Sequence, residues 1–166
     1  MLSGPQLGQA EAVLAACRAA RLRLATAESC TGGLLAACLT AVAGSSDVVE
    51  RGFVTYSNES KEELLGVPSA LLAAHGAVSA EVARAMVEGA LARSRADVAV
   101  AITGVAGPGG GTPQKPVGLV FLAAARRGSG APPPVVERHV FPGDRGGVRA
   151  ATVARALALL EGLAGT

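Results

Sequence analysis

The chain has 166 residues, half of them apolar, 17% charged and 2% aromatic, and its fifteen basic and thirteen acidic side chains give a net charge of +2. This composition excludes a disordered chain, and at this length one domain can bury about 70% of the surface that its unfolded chain exposes, around a core of Ala, Leu and Val. Scattered arginines and few aromatic side chains exclude a nucleic-acid footprint, and no run reaches the roughly 18 apolar residues of a membrane span.

In chain order, residues 5–20 predict a helix with Leu7, Ala10, Val13, Leu14 and Cys17 on one face, followed by a short strand over 22–27. A small-residue helix over 32–39 comes next, so Ser29 stands where a strand gives way to a helix start, a place of free backbone N–H groups and positive dipole. After the turn at 44–47, residues 51–56 alternate as a strand with Phe53 and Thr55 on one side. Ser57 or Asn58 is a natural N-cap for a helix through Leu65, which Gly66-Val67-Pro68 ends. The Ala74-His75-Gly76 step reads as a helix end, and Ser79 caps a helix over 81–94 with Val82, Ala85, Met86, Gly89, Ala90 and Arg93 at amphipathic spacing. The apolar run 97–103 predicts a strand buried on both faces. A glycine loop, 104–112, then leads to a strand over 117–125, a Pro-rich link, a strand over 135–141 and a last helix from Gly143-Asp144-Arg145 to about Leu163. The inner side of that helix is read as Val148, Thr152, Leu157 and Leu160. The expected fold is an α/β protein, a three-layer α/β/α sandwich with a mixed sheet, forming a single domain over residues 1–166.

The polar residues are not spread evenly. The only tyrosine, the only asparagine and one of two lysines fall in Tyr56-Ser57-Asn58-Glu59-Ser60-Lys61, in a chain that otherwise draws its positive charge from thirteen arginines. A buried lysine can be driven toward neutrality and act as a base, which arginine cannot. About thirty residues earlier, Thr26-Ala27-Glu28-Ser29-Cys30-Thr31-Gly32-Gly33 interrupts an apolar region. A serine and a neutral lysine can together make an activated nucleophile. Ser57, four residues before Lys61, is an alternative nucleophile on the same helix face, although the spacing is not S-x-x-K.

Other signatures are absent. The glycine loop lacks the Gly-Lys-Ser/Thr of a P-loop and a helix to complete G-x-G-x-x-G, leaving a crossover turn or a wall that a ligand approaches closely. No G-x-S-x-G surrounds Ser29, and His75 and His139 show no acidic orienter, which argues against a Ser-His-Asp triad. Cys17, Cys30 and Cys38 have no metal-ligand spacing, and their odd number fits reduced thiols. Cys30 reads as a small buried filler and not as a nucleophile. Residues 1–10 carry neither a basic n-region nor a continuous apolar h-region, so a soluble cytoplasmic protein is expected. No metal and no cofactor are expected. The expected partners are further copies of the chain, a dimer foremost, with no nucleic acid and no membrane.

Several blocks together carry a family resemblance: Thr26 to Gly33, Gly52-Phe53-Val54-Thr55-Tyr56-Ser57-Asn58, His75-Gly76-Ala77-Val78-Ser79, Ile102-Thr103-Gly104-Val105-Ala106-Gly107-Pro108, Lys115-Pro116-Val117-Gly118 and Phe141-Pro142-Gly143-Asp144-Arg145. In this order they resemble the C-terminal domain of the competence-damage-inducible protein CinA over nearly the whole chain. The resemblance implies a nicotinamide-nucleotide amidase that hydrolyses nicotinamide mononucleotide to nicotinic acid mononucleotide and ammonia in bacterial pyridine nucleotide salvage. It also implies Ser29 as nucleophile, Lys61 as its base and Tyr56 as a positioning or relay partner. The chain reads as the stand-alone form, so an activity of the family's other domain is not carried over. For the substrate, N–H groups near Thr31, Gly32 and Gly33 are expected to hold the oxyanion, with Arg145 as the phosphate seat and Thr103 and Gly104 as a second seat for phosphate or ribose. A surface pairing of Arg145 with Asp144 or Glu161 is the competing reading. The rival function is a nucleotide-binding sensor or scaffold that uses the same pocket without catalysis.

Overall fold

The computed structural model describes residues 2–166, with Met1 outside the description. Six helices and five strands follow one another as α1 (Gly4–Ala19), β1 (Leu24–Glu28), α2 (Leu34–Thr40), β2 (Val49–Val54), α3 (Asn58–Leu65), α4 (Ser69–His75), α5 (Ala80–Ala92), β3 (Val98–Gly104), β4 (Leu119–Arg126), β5 (Val135–Val140) and α6 (Arg145–Ala164). The strands form one sheet in the order β2-β1-β3-β4-β5. The first three run parallel, and β4 and β5 are antiparallel to their neighbours, so the sheet is mixed as the hairpin-like pair predicts.

Side chains alternate across the strands, and the two faces carry different cores. On one face Leu24, Val98, Val100, Ile102, Val120 and Leu122 pack beneath α1, α2 and α6. On the other, Ala25, Ala27, Ala99, Ala101, Ala123 and Ala125 meet Val82, Ala83, Met86, Val87 and Ala90 of α5. Short side chains there let α5 approach the sheet closely, which explains how a core with so few aromatics is filled. The buried central strand, β3, shows no exposed position from Val98 to Thr103.

Local chemistry sets the helix ends. Ser3 and Gln6 form a capping box at α1, Ser57 accepts from the Ser60 N–H at α3, Ser79 from Val82 at α5 and Asp144 from Gly147 at α6. Two sequence expectations shift. The helix read over 32–39 starts only at Leu34, because Gly32 and Gly33 adopt positive φ and carry the chain through a turn first. The helix that ends at His75 proves to be the short α4, whose start after Pro68 carries no side-chain cap. Arg93, placed on the apolar face of α5, is its exposed C-terminal cap, with its guanidinium donating to Leu65 O. No described helix is long and apolar enough to cross a membrane.

Candidate active site

The carboxyl ends of parallel strands are where crevices open in α/β sheets, because the chain leaves neighbouring strands in opposite directions there. Ser29 follows the last residue of β1, and its N–H donates to Ile102 O of β3 at 3.0 Å, so the sheet fixes its main chain. Lys61 enters from α3 and is 1% exposed. Its Nζ lies 2.9 Å from Ser29 Oγ, 2.8 Å from Thr55 O and 3.4 Å from Tyr56 O. Burial pulls the Lys61 pKa below its ordinary value, while the Cys30 thiol acts in the opposite sense. As an ammonium Nζ donates to all three oxygens, whereas a neutral amine keeps two N–H groups on the two carbonyls and offers its lone pair to the Ser29 hydroxyl. The same shell can hold the ammonium that results when the serine proton moves across.

Around this pair opens a cleft of about 320 Å³ whose walls include Tyr56, Asn58, Ala77, Val78, Thr103 and Arg145, with Gly104 to Gly107, Gly109 and Gly110 on one side. Thr103 is buried and donates to Ala77 O at 2.8 Å. Arg145, at the first turn of α6, donates to Gly107 O and to the Tyr56 hydroxyl, both at 2.8 Å. Its guanidinium therefore bridges the glycine loop and the segment after β2. The surface pairing with Asp144 or Glu161 does not form, since Asp144 caps α6 instead. Tyr56 is 59% exposed, and its hydroxyl faces Arg145 while its carbonyl meets Lys61.

Ser29, Lys61, Tyr56, Thr103, Gly104 and Arg145 thus share one cleft, whereas Thr31, Gly32 and Gly33 do not line it. A buried carboxylate sits at the start of α2 instead of a ligand. Glu28, fully buried at the end of β1, accepts from the Thr31 hydroxyl at 2.7 Å and from the Leu35 and Ala36 N–H groups at 2.9 and 3.1 Å. Its carboxylate occupies the positive end of α2, and Gly32 N–H donates to Ser29 O at 2.9 Å. Sequence reading gave Glu28 no role, although a carboxylate at the end of an apolar strand before an uncapped helix is a legible signal. Asn58 was singled out only as a cap, yet it stands in the cleft wall.

The remaining candidates fall away from the reacting pair. Ser57 is exposed and its hydroxyl caps α3 at Ser60, so Lys61 reaches Ser29 and not Ser57. Cys30 lines the cleft, but burial pushes its thiol up to about 11. Both histidines do have carboxylates, contrary to expectation: His139 Nε2 is 2.7 Å from Glu137 and His75 Nδ1 is 3.7 Å from Glu81. Neither histidine lines the cleft. The Glu137–His139 pair follows from i, i+2 spacing on one face of a strand.

The model of the CinA C-terminal domain matches residues 7–164. The chain belongs to the CinA family. A CinA-like protein of Citrifermentans bemidjiense is 56% identical over 140 residues, and one of Anaeromyxobacter sp. (strain Fw109-5) is 51% identical over 159, covering 84% and 93% of this chain. The chain spans about a third of the length of these curated relatives, 33% and 38%. Among solved structures, the competence/damage inducible protein CihA from Agrobacterium tumefaciens superposes with a TM-score of 0.94 at 46% identity, covering 98% of each chain. A CinA superfamily protein from Klebsiella pneumoniae gives a TM-score of 0.89 at 40% identity, over 95% of this chain and 96% of its own.

Proposed function

We propose that this CinA domain hydrolyses the carboxamide of nicotinamide mononucleotide, giving nicotinic acid mononucleotide and ammonia. The observation that carries the reading is the buried Lys61 amine, 2.9 Å from Ser29 Oγ at the floor of an open cleft. Ser29 Oγ attacks the amide carbon as its proton passes to Lys61 Nζ. The C–N bond then breaks, and Lys61 returns the proton to the departing nitrogen, which leaves as ammonia. Water, deprotonated by the same amine, cleaves the ester, the proton goes back to Ser29 and the acid is released.

An amide needs its developing oxyanion held, and one donor aimed at that oxygen is worth about 3 to 4 kcal/mol. Ser29 N–H is committed to the sheet, so we assign this task to the main chain at Cys30 and in the glycine loop, both in the cleft wall. Arg145 at the mouth offers a guanidinium whose present acceptors are neutral oxygens, and a phosphate is a stronger partner for it. A phosphate there and an amide at Ser29 would place a mononucleotide along the cleft.

The test is ammonia release from nicotinamide mononucleotide by the purified protein, with Ser29→Ala as control. Stoichiometric ammonia and acid from the wild type alone would support the proposal. Saturable binding with no ammonia would replace it with the non-catalytic reading.

A further inference from the structure

The chain has two lysines, and the second, Lys115, has no part in the chemistry proposed above. It belongs to the segment that closes the glycine loop. Lys115 N–H donates to Thr112 Oγ1 at 3.0 Å and Thr112 N–H to Lys115 O at 2.8 Å, forming a tight turn. Gly107 and Gly111 fold back against Val117, close enough that an added Cβ would stand 2.5 Å from Val117 Cγ1 and 2.9 Å from its nitrogen. The loop is thereby a compact body, and Gly107, Gly109 and Gly110 present it to the cleft.

On the opposite wall, residues 75–78 leave α4 and enter α5, with Ala77 and Val78 facing the cleft. Three successive carbonyls of this wall each accept a side-chain donor. Lys115 Nζ donates to His75 O at 2.6 Å, Ser79 Oγ to Gly76 O at 2.8 Å and Thr103 Oγ1 to Ala77 O at 2.8 Å. Ser79 belongs to the same segment and Thr103 to β3, so of these three only Lys115 ties the wall to the glycine loop. Gly76 makes room for it: a Cβ there would lie 2.7 Å from Lys115 Nζ. A compact ammonium on a flexible stem fits such a slot at a helix C-terminus, where positive charge is favoured.

We propose that Lys115 is a positioning residue that sets the width of the cleft by strapping the glycine loop to the wall at residues 75–78. Its effect on KM rests on the amidase reading, whereas its effect on the two walls does not. A strap remote from Ser29 and Lys61 acts on ligand binding in ground and transition states alike.

The experiment compares wild type, Lys115→Met and Lys115→Cys, the last before and after alkylation with 2-bromoethylamine, which restores a primary ammonium on a stem of nearly the same length. The native cysteines are all buried, so wild type treated with the reagent serves as the control. We expect both variants to raise KM for nicotinamide mononucleotide about tenfold with kcat within about twofold, and alkylation to restore KM. Amide exchange should quicken at residues 76–79 and 104–112 and stay unchanged in α1 and α6. A proportionate loss of kcat, failure of alkylation to restore KM, or unchanged exchange at the two walls would overturn the proposal. If the wild type releases no ammonia, the amidase reading falls by itself, and exchange with and without alkylation still decides the role of Lys115.

Discussion

Tyr56 and Arg145, 89 residues apart in sequence, share a 2.8 Å hydrogen bond across the mouth of the cleft. The same guanidinium holds Gly107 O, so one side chain joins three separate segments around the opening. Because both acceptors are neutral, a dianionic ligand would displace the Tyr56 contact at little cost. Arg145→Ala should therefore raise KM for nicotinamide mononucleotide about ten- to a hundredfold and barely change hydrolysis of the corresponding riboside. Tyr56→Phe removes only the hydroxyl and should have a smaller effect on KM. Steady-state kinetics on both substrates checks this, and an equal loss on the two would move the phosphate seat to the glycine loop.

Ser29→Ala should lower amide hydrolysis by more than about a thousandfold while leaving the melting temperature close to that of the wild type. Its hydroxyl caps no helix, and its main-chain bond to Ile102 O is unaffected by the change. Ser57→Ala should do the reverse, retaining turnover and costing about 1 kcal/mol of stability through the lost cap at Ser60. Cys30→Ala should also stay active, because a thiol held at about 11 is protonated at neutral pH. Ammonia assays beside thermal melts separate the three; an inactive Cys30→Ala of normal stability would reopen the thiol reading.

Lys61→Arg should be nearly as damaging as Lys61→Ala, about a hundred- to ten-thousandfold in kcat, since the charge is kept but the capacity to take a proton is lost. Wild-type activity should rise with pH as Lys61 loses its proton, with a midpoint below 10.5. Stability follows the same group. The unfolded lysine keeps its proton up to about 10.5 and the buried one releases it at lower pH, so between those values the fold gains stability as pH rises. Lys61→Met lacks this component, and its melting temperature should fall behind the wild type progressively as pH approaches 10.5. A pH-independent difference would mean that Lys61 does not titrate in that window.

Glu137 lies between Arg155 at 2.5 Å and His139 at 2.7 Å, and the Arg155 guanidinium first, then His139, holds its carboxyl down to about 2. Its contribution is present above the ordinary carboxylate pKa of 4.5 and is lost as pH falls through that value toward 2. The pair is partly exposed, so Glu137→Gln should cost about 1 kcal/mol near neutrality, and less as the solution is acidified. Melts of the two proteins from pH 7 to pH 3 test it, and turnover at Ser29 should be unaffected because neither partner lines the cleft.

Much of this could be read directly from the chain. Alternating apolar runs gave the order of strands and helices, since side-chain periodicity is a local property of the backbone. Ser57, Ser79 and Asp144 marked helix starts because a cap needs only its own next turn. The scarcity of lysine, tyrosine and asparagine drew attention to residues 56–61, and Thr26 to Gly33 to the second polar cluster. What the sequence could not supply was the direction of side chains across long separations. Only the parallel pairing of β1 with β2 and β3 brings Ser29 beside Lys61 and Thr103. Only the close packing at the start of α2 shows that Glu28 takes the Leu35 and Ala36 N–H groups, while Thr31, Gly32 and Gly33 stay out of the cleft wall. The carbonyl shell around Lys61 and the strap from Lys115 to His75 likewise belong to the folded state, because hydrogen bonds between remote main-chain and side-chain groups depend on distance and angle, which periodicity does not encode.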